Sequence, residues 1–376
     1  MSFADALHAG AFPFFRKQAR FRSLLEEKTP PELEAMAQEA HERSMQFFGK
    51  TVRLFAPLYL SNECVNVCRY CGFSRSNPIL RLTLSPEEVE REARCLAAQG
   101  FRSILLVAGE HPKWVSPGYV AACIRRIRPY FPSISVEIAP LEIEEYRVIV
   151  DSGAEGVVVY QETYAPEVYS ALHLAGPKRD FVWRLQAPER AYRAGFRRIG
   201  VGALLGLSPW RQEGFALAAH AAWLLKQAWR SFLTISLPRL RPAAGGFSPD
   251  YPVSDRDFVQ LHCALRIVFP QVGLVLSTRE SPSLRDRLIP LGATMMSAGS
   301  RTDPGGYTGA GRERLHRMVN GRKESPTLAE STAEATEQFA LSDERSPQQI
   351  ADRIREIGYE PVWKDWEECL SNASST

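Results

Sequence analysis

The chain has 376 residues, too many for one small domain and enough for a single barrel with extensions. With 45% hydrophobic and 24% charged residues it can bury a large core, while 46 Lys and Arg against 43 Asp and Glu leave a net charge of only +3. No basic surface therefore argues for nucleic acid or membrane as a partner. Met1 to Arg20 lacks an apolar core behind a basic start, and the most apolar run, Ala216 to Trp229, is broken by His220 and Lys226. Neither a secretory signal nor a membrane span is expected, which places the protein in the cytoplasm.

Residues 1–50 are helical in pattern. Pro30-Pro31-Glu32-Leu33 is a helix start, and Leu33, Met36, Ala37 and Ala40 follow at helical spacing, as in a lead-in packed on a main domain. From Val52 to about Ser297 short apolar strands alternate with amphipathic helices, a pattern that predicts a parallel sheet with helices outside. Strands are expected near 52–60, 103–107, 134–138, 156–160, 199–203, 232–236, 273–277 and 293–297, so residues 51–300 form a (β/α)8 TIM-type barrel. Helix starts recur between them, as in Ser85-Pro86-Glu87-Glu88, a Ser N-cap with Pro at the first helical position. Polar and glycine-rich groups gather just after the strands: Gly109-Glu110, Glu162, Gly202 to Leu207, Arg279 and Ser297. That is the face on which barrels carry their active sites. Residues 301–376 form a C-terminal extension. Its Gly-, Ser- and Arg-rich part, 301–336, is expected to be a mobile loop. A helix then opens at Ser346-Pro347 and ends near Gly358, and Pro361 to Trp366 docks as a tail.

The cysteines carry the chemistry. Cys64, Cys68 and Cys71 stand at C-x3-C-x2-C spacing directly after the first strand, so one loop can aim three thiolates at a common point. A structural zinc site closes a tetrahedron with four protein ligands, and no second C-x2-C pair exists in this chain. Three cysteines on an iron–sulfur cube leave one iron open to an outside ligand, which is a catalytic arrangement. The plain alternatives are a zinc knuckle completed by a distant His, or three unrelated buried thiols. Cys95, Cys123, Cys263 and Cys369 are scattered and form no disulfide framework.

C-x3-C-x-aromatic-C, with Tyr70 as the aromatic residue, is the signature of the radical S-adenosylmethionine (SAM) superfamily. Pro-Leu-Tyr-Leu-Ser-Asn-x-Cys and Tyr-Cys-Gly-Phe-Ser around it resemble the 2-iminoacetate synthases, the tyrosine lyases of thiamine thiazole synthesis. Gly176-Pro177-Lys178, Arg239-x-Arg241-Pro242, Pro304-Gly305-Gly306-Tyr307, Gln338-Phe339 and the Pro-Val-Trp-Lys-Asp-Trp tail extend the resemblance from about residue 40 to 366. It implies a [4Fe-4S] cluster whose fourth iron binds SAM, and reductive cleavage of SAM to methionine and 5′-deoxyadenosine. The implied reaction breaks the Cα–Cβ bond of L-tyrosine, giving 2-iminoacetate (dehydroglycine) and p-cresol. Implied partners are thiazole synthase and a reduced flavodoxin or ferredoxin-type electron donor.

Residue by residue, Gly109-Glu110 resembles the family's Gly-Gly-Glu turn at the SAM amino group, with Ala108 in place of the first Gly. Glu162 would contact the ribose, Arg184 the SAM carboxylate and Leu207 the adenine. Arg279 would clamp the substrate carboxylate, Ser297 would help hold the same end, and Tyr59 would lie by the amino group. Each has a structural alternative: Glu110 as a helix cap, Arg184 solvated, Arg279 paired with Glu280 or Asp286, Ser297 as a turn former, Tyr59 as core. His111 and His173 read as structural. Rival functions are a tryptophan lyase on the same barrel and a non-catalytic cluster carrier. The hydrogenase-maturation tyrosine lyases have a longer tail with further cysteines, where this chain has only Cys369.

Overall fold

The computed structural model describes residue 3 and residues 17–319, 322–324 and 334–363. Eight short apolar runs become parallel strands: β1 (Thr51–Ser61), β2 (Ser103–Ala108), β3 (Ser133–Glu137), β4 (Gly156–Glu162), β5 (Arg198–Ala203), β6 (Phe232–Ser236), β7 (Gly273–Leu276) and β8 (Met295–Ser297). Neighbours follow chain order, and β8 pairs back onto β1 through Met295–Arg53 and Ser297–Phe55, closing the (β/α)8 barrel that the alternation predicts. A ninth strand, β9 (Glu360–Val362), pairs with Thr51 to Arg53 of β1, while β2 takes Ala56 onward. The C-terminal tail thus fills the gap that the early part of β1 leaves at the barrel floor.

The helices form for local reasons. The Ser85 amide donates to Glu88 Oε2 at 2.6 Å and Ser85 Oγ accepts from the Glu88 amide at 3.3 Å, a reciprocal cap that starts the helix Pro86–Ala98. Its buried face, Val89, Ala93 and Leu96, packs on the barrel at helical spacing. The lead-in contains helices Gln18–Leu25 and Pro30–Phe48, anchored where Gln260 Nε2 donates to the carbonyls of Leu24 at 2.8 Å and Glu26 at 2.6 Å. No described helix is long and apolar enough to cross a membrane.

Part of the segment expected to be a mobile loop is described. Residues 301–319 lie packed on the barrel: the Tyr307 hydroxyl donates to the Pro57 carbonyl at 2.7 Å, and the Tyr307 and Thr308 amides donate to Glu92 at 2.9 and 2.8 Å. Gly- and Arg-rich composition signals the turns of this segment, but not the buried Glu92 that satisfies its amides. Residues 320–321, 325–333 and 364–376, and with them Trp366 and Cys369, lie outside the described residues. The helix Pro347–Glu356 ends before Gly358 at φ 86°, as expected from its sequence. A buried Arg285–Asp343 ion pair ties the extension to the barrel mouth.

Candidate active site

The cysteine loop follows β1 and is shaped from its own backbone outward. Asn62 Nδ2 donates to the Leu80 carbonyl at 2.9 Å and its Oδ1 accepts from the Leu82 amide at 2.7 Å. Arg81, buried beneath, donates to the carbonyls of Asn62 at 2.7 Å and Ser74 at 2.8 Å, so the loop carbonyls are satisfied without water. Two glycines of the motifs are needed for contact. A Cβ on Gly109 would overlap the Glu63 carbonyl, and one on Gly72 would overlap the Gln338 carbonyl, because three chain segments meet there.

Cys64, Cys68 and Cys71 line one pocket with Gly109, Glu110 and Lys178, and none is in a disulfide. Among the described residues no three His, Cys, Asp or Glu side chains converge on one ion. Zinc needs its sulfurs about 2.3 Å from a single centre. A cube accepts one thiolate on each of three separate irons, and three free cysteines of one loop lining one pocket fit that donor set. Burial pushes the Cys64 thiol up to about 11, and Cys68 and Cys71 upward as well; a cationic cluster bound there would favour the thiolates.

Beside the cysteines lies a closed network of charges. Glu110 accepts from Arg184 Nη1 at 2.8 Å and from Asn66 Nδ2 at 2.8 Å; Glu162 accepts from Lys178 Nζ at 2.7 Å and from Arg184 Nη2 at 3.5 Å. Arg184 Nε donates in turn to the Tyr160 carbonyl at 2.7 Å. Burial pushes both carboxyls up, but Arg184 and Lys178 outweigh it and hold both below the usual range. Glu162 has φ 73°, the one positive φ outside glycine among the described residues, at a register shift between Tyr160 and Glu162. The strained bulge turns its carboxylate into the mouth. Tyr70 donates to His173 Nε2 at 2.8 Å, and His173 Nδ1 donates to the Tyr169 carbonyl at 2.7 Å. His173 is therefore a neutral anchor for Tyr70, with burial pushing it down to about 4.

The other side of the mouth is open in charge. Arg279 lies over the Phe339 ring at 3.3 Å and forms no ion pair among the described residues. Its two suggested structural partners are taken: Glu280 accepts from Arg239 Nε at 2.8 Å, and Asp286 binds Arg345 and Arg353 at 3.0 Å each. Ser297 Oγ accepts from the Thr278 amide at 3.2 Å, and Tyr59 donates to Gln338 Oε1 at 2.8 Å. All three line one cavity with Glu137, Tyr160 and the apolar walls Phe55, Leu105, Val107 and Val275.

The sequence-expected residues mostly meet at this mouth. Arg184 is 6% exposed, so the solvated reading of it fails. Leu207 is an exception: it is buried behind Tyr70 and Leu172, and Leu204 lines the cavity in its stead. His111 Nδ1 accepts from the amides of Lys113 and Trp114 at 3.3 and 3.4 Å, as a turn former. Sequence reasoning missed roles for Lys178, Glu137 and Gln338. An acid inside the apolar run of β3 was a signal for Glu137; Gln338 carried none beyond its motif.

Residues 58–214 match the radical SAM superfamily, and residues 236–360 the biotin and thiamin synthesis associated domain. The chain is 43% identical over 343 residues to the 2-iminoacetate synthase of Escherichia coli K12, covering 91% of this chain and 85% of that protein. It is similarly 43% identical to the 2-iminoacetate synthase of Salmonella typhimurium LT2, over 92% of this chain and 86% of that protein. Among solved structures it resembles the FeFe-hydrogenase maturase HydG of Carboxydothermus hydrogenoformans, with TM-score 0.82, 36% identity, and 96% of this chain and 79% of that one covered. Cluster-fitting cysteines on a closed barrel and identity along nine-tenths of the chain lead to one conclusion: this protein belongs to the 2-iminoacetate synthase family of radical SAM enzymes, which use a [4Fe-4S] cluster and SAM.

Proposed function

We propose that the chain is a tyrosine lyase, breaking the Cα–Cβ bond of L-tyrosine to 2-iminoacetate and p-cresol while SAM is converted to methionine and 5′-deoxyadenosine. The observation that carries it is Arg279, a guanidinium without an ion pair among the described residues, in a cavity that adjoins the cysteine pocket. A buried cation persists in that state when a ligand completes it, and a carboxylate fits its planar fork in two parallel hydrogen bonds. When bound, the cluster and SAM supply reductive carbon–sulfur cleavage and the radical that takes a hydrogen atom from the substrate.

The chain's own residues bind and orient. Cys64, Cys68 and Cys71 hold the cluster, and the Gly109-Glu110 turn receives the SAM amino group. Glu162 takes the ribose, Arg184 the SAM carboxylate, and Tyr70 walls the nucleotide side. Arg279 and Ser297 hold the carboxylate end of the substrate, with Tyr59 beside its amino group. Which hydrogen is taken depends on placement, so Arg279 acts by position more than by acid–base strength. Partners in this reading are thiazole synthase, which consumes the imine, and a reduced flavodoxin or ferredoxin-type donor in the cytoplasm.

Anaerobic reconstitution followed by product analysis tests the proposal. p-Cresol from tyrosine supports it; an indole acid from tryptophan, with no p-cresol, replaces it with the tryptophan lyase. Absence of any 5′-deoxyadenosine on reduction with SAM would leave a cluster carrier. Copurification with thiazole synthase, or a rise in turnover when the two are mixed, tests the partner.

A further inference from the structure

At the carboxyl end of β3 stands an acid that no role above absorbs. Glu137 and Gln338 are, among the described residues, the two that line all three adjoining pockets of the mouth, from the cysteines to Arg279. Strand alternation puts it there: Val136 is buried in the core, while Ser135 and Glu137 line cavities of the barrel lumen. Gln338 is engaged by the Tyr59 hydroxyl at 2.8 Å. The Glu137 carboxylate has no hydrogen-bond partner among the described residues.

The groups that face it come from every surrounding element: Tyr59 from β1, Tyr160 and Glu162 from β4, Lys178 and Arg184 beyond β4, and Arg279 after β7. Lys178 and Arg184 are occupied by Glu110 and Glu162, whereas Glu137 and Arg279, with Arg241 at the wall of the middle pocket, have no ion-pair partner among the described residues. An α-amino acid presents the complementary pair, a carboxylate and an ammonium on one carbon.

We propose that Glu137 receives the α-ammonium group of the substrate while Arg279 receives its carboxylate, and that Glu137 takes one proton from that ammonium. This inference rests on the tyrosine-lyase reading. The N–H bond breaks with its electron pair left on nitrogen, and the proton forms an O–H bond on Glu137. No oxidant or reductant enters, and the substrate is left with a neutral amine. Burial, reinforced by Glu162 and opposed by Arg279, pushes the Glu137 carboxyl up to about 7, the range in which a general base works best near neutral pH.

The test is equilibrium binding to the anaerobic, cluster-loaded enzyme with SAM, comparing wild type with Glu137→Gln. The three probes are L-tyrosine, L-phenylalanine and 3-(4-hydroxyphenyl)propanoate, which keeps the phenol and carboxylate but lacks the amine. The substitution should weaken both amino acids at least about tenfold, the loss of one charge-assisted hydrogen bond, and the propanoate less than about twofold. Iron content and SAM affinity should be unchanged, and Glu137→Asp should recover part of the tyrosine affinity. Loss confined to the two phenols would place the carboxylate at the ring hydroxyl and overturn the proposal. So would unchanged binding of all three, or a tenfold loss of SAM affinity alone. Wild-type p-cresol release should rise with pH through about 7, and Glu137→Gln should lose that limb; a limb retained in the variant overturns the proton transfer. If wild type releases no p-cresol at all, the lyase reading fails, while the binding series still reports on Glu137 by itself.

Discussion

The two halves of the barrel mouth are built from the same residue types and behave as opposites. On the cysteine side, Glu110, Glu162, Arg184 and Lys178 satisfy one another within 2.7 to 4.0 Å. On the far side, among the described residues, Arg279 has an aromatic ring beneath it and no ion pair, and Glu137 has no hydrogen-bond donor. A buried charge without a partner costs several kcal/mol. The first half is therefore complete before any ligand arrives, and it presents a fixed field to a cofactor. The second is left incomplete, so a zwitterionic substrate gains in binding what the empty protein lacks in stability.

Breaking the cysteine half should have the largest effect. Cys68→Ala should lose cluster iron and reduce 5′-deoxyadenosine formation to background, read by iron content and chromatography of a reduced reaction. Arg279→Ala should retain the cluster and SAM binding, yet lower kcat/KM for tyrosine about 10³-fold, from two charge-assisted hydrogen bonds of about 2 kcal/mol each.

Stability in the empty protein sharpens the comparison. Arg184→Met should cost about 3–5 kcal/mol in urea unfolding, because Glu110 and Glu162 are left buried and short of a partner. Arg279→Met, which removes a charge that burial disfavours, should be neutral or stabilising in the same assay. Equal losses at the two arginines would erase the distinction between the halves. A pH series gives a smaller signal. Glu137 has its carboxyl raised from 4.5 to about 7, so in that window the native state binds more protons than the unfolded chain. Stability of the empty wild type should then fall as pH rises from about 4.5 to 7, and Glu137→Gln should flatten that fall. The smallest effect belongs to Tyr59→Phe, which removes one hydrogen bond to Gln338 and should change stability by about 1 kcal/mol.

Much of this was legible in the order of residues. The eight strands, the capped helices and the three-cysteine loop follow from short-range periodicity, N-cap residues and close spacing, which act within a few positions of the chain. The Gly-Glu turn was legible too, since a chain crossing so close to another permits only glycine at position 109. Leu204 was missed beside Leu207 because a glycine-rich turn does not say which of its apolar residues lines the cavity. The packed segment 301–319 was hidden because its support, Glu92, comes from a helix more than two hundred positions away.

Sequence by itself thus determined the barrel, the cluster loop and the family, because those depend on local patterns and on motifs that recur in a fixed order. Tertiary structure alone decided which charges cancel. Arg184 and Arg279 look alike in the chain, and so do Glu110 and Glu137; only folding brought the first of each pair within reach of the other and left the second of each to face open space. Pairing is a matter of a few ångströms across strands far apart in sequence, and the Coulomb energy of a buried group changes most steeply over that distance.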